Sequence, residues 1–158
     1  MRVRWAGPPQ SRGQNDKNLM LKVLNLTITT PEKIVYQDTV DEIVLPTLQG
    51  EIGILPNHIP LVSILAAGEI RIKKQGEITL MAVSAGFIEV KNNNITILAD
   101  TAEKAEEIDE QRAQAGRERA LKLMQERATD DVGLASAQAA LAKELARLKV
   151  ARKHRKRV

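Results

Sequence analysis

Residues 95–113 read ITILADTAEKAEEIDEQRA, and the hydrophobic period changes inside them. Ile95-Thr96-Ile97-Leu98 is a short β-branched run of the kind that forms a strand. From residue 102 to residue 127 the chain turns to Ala, Glu, Gln and Arg without a proline, the composition of a helix. The junction near Asp100 therefore divides a β part from an α part.

Upstream of the junction the period is two. Leu24, Leu26 and Ile28 alternate with Asn25, Thr27 and Thr29, and Ile70 and Ile72 alternate with Arg71 and Lys73. Short apolar runs at 34–36, 40–45, 52–55, 62–65, 78–82 and 87–90 are separated by turn chemistry: Thr30-Pro31-Glu32-Lys33, Lys74-Gln75-Gly76 and Asn92-Asn93-Asn94. About eight to ten short strands at this spacing mean a sandwich or a barrel. The segment GEIGILPNHIP at 50–60 stands out as a stiff, apolar loop with two glycines, two prolines and an isolated histidine.

Downstream, Thr129-Asp130-Asp131 and Gly133 interrupt the helical pattern and leave two helices. The second carries Leu134, Ala137, Leu141, Leu145 and Leu148 on one side; the first offers Ala105, Ile108, Ala113 or Gly116, Ala120 and Leu123. Such a pair makes an antiparallel hairpin. Its seam is mostly alanine, which buries far less area than the 1.5–3 kcal/mol worth of a leucine, so the hairpin is expected to be weakly held, by about a few kcal/mol.

The aromatics are Trp5, Tyr36 and Phe87, so the core must be aliphatic, and the absence of cysteine excludes disulfides and thiolate metal sites. With two histidines, His58 and His154, a metal site is not expected. No run approaches the roughly 18 apolar residues of a membrane span. The net charge of +4 is uneven: residues 141–158 hold eight cations against Glu144, while residues 20–140 hold twelve cations and eighteen acids. Residues 1–19 lack periodicity and read as a disordered leader or upstream extension, with Met20 a candidate start. The domains expected are a β-sandwich over 20–100, a helical hairpin over 101–152 and a basic tail over 153–158.

Three blocks in this order, Glu51-Ile52-Gly53-Ile54-Leu55-Pro56-Asn57-His58-Ile59-Pro60-Leu61, then Ser84-Ala85-Gly86-Phe87-Ile88-Glu89-Val90, then Ile95 to Asp100 leading into helices, resemble the epsilon subunits of F-type ATP synthases. Asn57 stands where that family usually carries glycine; asparagine also accepts positive φ. The resemblance implies an α+β protein, an antiparallel β-sandwich of about ten short strands followed by an α-helical hairpin. It implies a non-catalytic rotor subunit of the proton-translocating enzyme, peripheral to the cytoplasmic face of a bacterial plasma membrane or the stromal face of a thylakoid. Its partners would be the gamma subunit and the c-ring, and in an extended state the alpha and beta catalytic subunits.

By the same resemblance Glu51 and His58 would touch the c-ring. Ile108-Asp109-Glu110-Gln111-Arg112-Ala113 fits a pattern carried by members that bind ATP on the hairpin. Glu103, Asp109, Arg112, Lys143 and Arg147 would form that site, although Lys143 replaces an arginine and makes a poorer phosphate fork. No cofactor is required and ATP would be regulatory; without a P-loop, hydrolysis by this chain is not expected. Arg147, Lys149, Arg152 and Lys153 would contact the catalytic head. Read without the resemblance, Asp109 with Arg112 is also an ordinary helix-surface pair and His58 an ordinary partner of backbone groups. The alternative function is a ribosome- or RNA-binding β-domain with a basic helical arm, disfavoured because no aromatic platform accompanies the cations.

Overall fold

The computed structural model describes residues 23–157, and the expectations for residues 1–19 and Met20 lie outside them. Ten strands come first: β1 (Leu24–Thr29), β2 (Ile34–Val40), β3 (Glu42–Thr47), β4 (Gly50–Ile54), β5 (Leu61–Leu65), β6 (Gly68–Lys74), β7 (Glu77–Val83), β8 (Gly86–Lys91), β9 (Asn94–Ala99) and β10 (Ala102–Lys104). A 3-10 turn at Ala105–Glu107 leads to helices α1 (Glu110–Glu126) and α2 (Asp131–Arg155).

The strands hydrogen-bond in the order β10-β7-β6-β3-β5-β8-β9-β1-β2, with β4 on the other side of β3. The path folds at a single bridge, Thr47 to Leu65, which leaves two five-stranded halves facing each other. Pairing is antiparallel except between β1 and β9. Leu24, Leu26 and Ile28 of β1, Ile70 and Ile72 of β6, and Ile95 and Ile97 of β9 are buried in one aliphatic core, as their alternation requires. Two hairpins close through two-residue turns at positive φ, Gln75-Gly76 and Asn92-Asn93, the geometry that matches strand twist.

In β7 alternation does not select one face, because both faces are apolar. Met81 and Val83 enter the core, whereas Leu80 and Ala82 point outward and are buried with Ala105 and Val150 beneath the helices. Ile78 remains exposed.

The helical part begins later than the composition suggests. Residues 102–104 pair with β7, Ala102 opposite Val83, and a free sheet edge outweighs local helix propensity there. The cap of α1 is Asp109, whose Oδ1 accepts from the Arg112 amide at 3.0 Å. Ala113, Gly116 and Ala120 form its buried stripe, while Leu123 is largely exposed. Helix α2 continues to Arg155, through the first residues of the expected basic tail. Its stripe also turns: Ala137 and Leu148 are buried as expected, but Leu145 is exposed, and Glu144, Ala146 and Val150 are buried. The C-terminal half of α2 packs on both α1 and the sandwich, so more than one face is covered.

Candidate functional site

The loop after β4 is held by backbone geometry. Leu55-Pro56-Asn57-His58 is a turn closed by the His58 amide on the Leu55 carbonyl at 3.1 Å, with Pro56 followed by Asn57 at φ 67°. Proline and then a positive-φ residue is the arrangement of a type II turn. The Asn57 amide donates to Asn93 Oδ1 at 2.6 Å, clamping the loop to the β8–β9 turn. What the loop displays is apolar: Ile59 is 74% exposed and Leu55 55%. His58 Nδ1 lies 2.8 Å from the Ile59 carbonyl, a bond it makes as donor.

Glu51 lies toward the opposite end of β4, near the β3–β4 turn where Leu48 is exposed. The two residues expected at the ring are therefore separated by the length of a strand. The Glu51 carboxylate is taken by Arg71, at 3.2 Å to Nη1 and 2.8 Å to Nη2. That hydrogen-bonded pair holds the carboxyl below its ordinary value.

A cleft of about 500 Å³ lies between the β1–β2 turn, β10, α1 and α2. Glu103, Arg112, Lys143 and Arg147 line it, four of the five residues read as a nucleotide site. Asp109 does not; its carboxylate is spent on the cap of α1. Arg147 is mostly buried between Glu103, at 2.5 Å, and Glu144, at 2.7 Å. Burial alone would weaken its charge, but its hydrogen bonds to the two carboxylates win and raise its pKa. Glu144 tucks against Gly116, where an added Cβ would come within 2.7 Å of the Glu144 carboxyl carbon.

Two helix residues of the lining escaped the sequence reading. Arg119 follows Arg112 by two helical turns and shares its face, a spacing that was available to find it. Glu144 neighbours Lys143, but its burial depends on Gly116 of the other helix and left no local signal. Among the described residues, Arg112 and Arg119 form no ion pair, and Lys143 approaches Glu144 at 3.8 Å. The described residues contain no group of three or more metal-ligating side chains.

Two of the other three cations expected at the catalytic head are also engaged. Arg152 meets Glu110 of α1 at 3.0 Å, and Lys153 meets Glu69 of β6 at 2.6 Å. Lys149 faces an open groove with Arg117 and Lys156. Glu69 is 3% exposed and was also missed in the sequence, because an acid beginning a strand usually faces water. Burial would raise its carboxyl; hydrogen bonds from Lys153 and Arg71 outweigh this and lower it.

A ten-stranded sandwich carrying a docked helical hairpin is matched over residues 23–105 by the family described as ATP synthase, Delta/Epsilon chain, beta-sandwich domain. Residues 106–152 match ATP synthase, Delta/Epsilon chain, long alpha-helix domain. The chain belongs to the ATP synthase delta/epsilon family. Within it the similarity is to epsilon chains. That of Desulforamulus reducens is 43% identical over 132 residues, 84% of this chain and 99% of that protein. That of Chloroflexus aggregans is 47% identical over 132 residues, 84% of this chain and 94% of that protein. A chain in the Euglena gracilis mitochondrial ATP synthase structure of OSCP, F1 and c-ring superposes with a TM-score of 0.70 at 26% identity, covering 93% of this chain and 90% of that one. As an epsilon subunit the protein is a non-catalytic part of the central stalk. No described helix is long and apolar enough to cross a membrane. Nothing in these likenesses supports the RNA-binding alternative.

Proposed function

We propose that the β-sandwich couples the stalk of a proton-translocating ATP synthase to its c-ring, and that the hairpin restrains ATP hydrolysis when it leaves the sandwich. One observation carries the second half: Arg147, Arg152 and Lys153 each meet an acid of β10, α1 or β6 while the hairpin is docked. Undocking releases Arg147 from Glu103 and Lys153 from Glu69, and extension of α2 away from Glu110 of α1 frees Arg152, ready for an acidic surface on the alpha and beta subunits. The apolar seam that opposes release is small, with Val150 the one large α2 side chain in the cluster on Leu80, Ala82 and Ala105. An equilibrium of a few kcal/mol can be biased by a modest ligand.

For the ring, the supporting features are the clamped loop with exposed Leu55 and Ile59, and Glu51 and His58 at the two ends of the β4 segment. For the gamma subunit, a cross-strand row of Ile64, Phe87 and Leu98 is about half exposed on the outer face of β5, β8 and β9. Such a row on a sheet face marks a docking surface. The site of action is then the cytoplasmic face of a bacterial plasma membrane, or the stromal face of a thylakoid.

Deleting Leu134 to Val158 in the assembled complex is expected to relieve latent ATP hydrolysis while assembly persists. Equal latency after truncation ends the brake reading.

A second reading is favoured by the cleft. Arg112, Arg119 and Lys143 converge there without a strong acidic partner, and its size admits a nucleotide. ATP bound there would bridge the sandwich to both helices and hold the hairpin docked. Titrating ATP onto the isolated chain while following hairpin compaction tests this; no saturable compaction at millimolar ATP rules it out.

A further inference from the structure

Four charges cross the outer face of the sandwich and end on the hairpin. Glu69 and Arg71 stand two apart on β6 and so share that face. Arg71 pairs in register with Val44 of β3, which pairs in turn with Gly53 of β4, two residues from Glu51 on the same face. Arg71 gives Glu51 both arms of its guanidinium and gives Glu69 only one bond, at 3.1 Å, from the nitrogen it already shares. Glu69 Oε1 takes the Lys153 ammonium at 2.6 Å as its second donor, and Glu69 Oε2 has no partner.

The placement of Lys153 follows from packing. Val150 lies one turn earlier on α2 and packs in the cluster with Leu80 and Ala82 of β7. Ala82 is directly opposite Glu69 across the β6–β7 ladder. Docking Val150 thus brings α2 over a carboxylate whose side chain is completely covered. A covered carboxylate with too few donors is unfavourable, and undocking would return it to water.

We propose that buried Glu69 latches the hairpin through Lys153, and that the latch depends on Glu51 holding Arg71 away. When a cation or hydrogen-bond donor from a partner occupies Glu51, the Arg71 fork turns to Glu69 and satisfies both oxygens. Lys153 is then no longer required, and its hold on the terminal turns of α2 lapses. A contact at the edge of β4 is converted in this way into release of a helix. This deepens the coupling and brake readings above and rests on them for its physiological meaning.

The experiment is a double-mutant cycle on the isolated full chain, read by amide hydrogen exchange in the segment Lys149 to Arg155. Methionine has nearly the helix propensity of lysine, so Lys153→Met removes the ammonium without weakening the helix itself. Lys153→Met is expected to speed exchange in that segment by about tenfold or more. Adding Glu69→Gln should recover most of this, because no covered charge then remains. In a Glu51→Gln background, Lys153→Met should have little effect. Unchanged exchange in Lys153→Met overturns the latch, as does an equal rise in strand β9, which would report general loosening. An identical effect of Lys153→Met with and without Glu51 overturns the coupling. These outcomes are separate from hydrolysis: a working latch in a complex whose latency ignores truncation sinks the brake reading alone, and the converse sinks the latch alone.

Discussion

Gly86 shows how one residue can be dictated by a neighbouring strand. A Cβ there would lie 1.9 Å from the Leu98 carbonyl oxygen and 2.9 Å from the Ala99 Cα, both backbone atoms that cannot turn aside. Gly86→Ala should destabilise the fold by about 3 kcal/mol or more, measured as a lower urea midpoint. Glu69 makes a prediction about pH. Its folded carboxyl lies below its ordinary value of 4.5, so docking gains its full contribution above about that pH. The contribution falls as the pH drops through the lowered value, since protonation removes the partner of Lys153 and Arg71. Acid titration of α2 exchange should show this loss in the native chain, and a much flatter profile in Glu69→Gln.

Among the elements, α2 is the one whose surroundings differ along its length. Ala137 is buried in its first half, while in its second half Val150 packs on Leu80 and Ala82 of β7 and Lys153 reaches Glu69 of β6. Val150 is completely buried and is the principal aliphatic contact between hairpin and sandwich. Val150→Ala is expected to weaken docking by about 2 kcal/mol, seen as faster exchange in the last turns of α2 while the strands keep their protection. A uniform loss across the strands instead would show that the hairpin and sandwich unfold as one. The pattern of small residues in α1, with Ala113, Gly116 and Ala120 at the seam, was plain in the sequence. The second buried face of α2 was not, since Ala146 and Val150 lie nearly opposite the stripe of Leu134, Ala137, Leu141, Leu145 and Leu148, and only the presence of the sheet covers them.

For the molecule as a whole, the main core is built from strand residues alone, with no α1 or α2 side chain in it. Residues 23–105 are therefore expected to fold without the hairpin, giving a cooperative urea transition and a β-type circular dichroism spectrum. A non-cooperative transition would mean that the cover over Leu80 and Ala82 is essential. That cover also explains why an exposed-looking acid could be buried: the hairpin, not the strand, removes Glu69 from water.

Period and turn chemistry were enough to establish strands β1 to β9, the aliphatic core, the turns at Gln75-Gly76 and Asn92-Asn93, and a change to helices, though not that residues 102–104 still pair as β10, because the former rest on local sterics and on alternation within one segment. Four of the residues around the cleft were also legible, through spacing and resemblance. The outward role of Leu80 and Ala82, the burial of Glu69 and the partner of Lys153 were settled by the folded chain. Glu69 and Lys153 stand 84 positions apart. Nothing in either segment states which of its two faces the other will cover; that follows from how the hairpin packs once both parts exist.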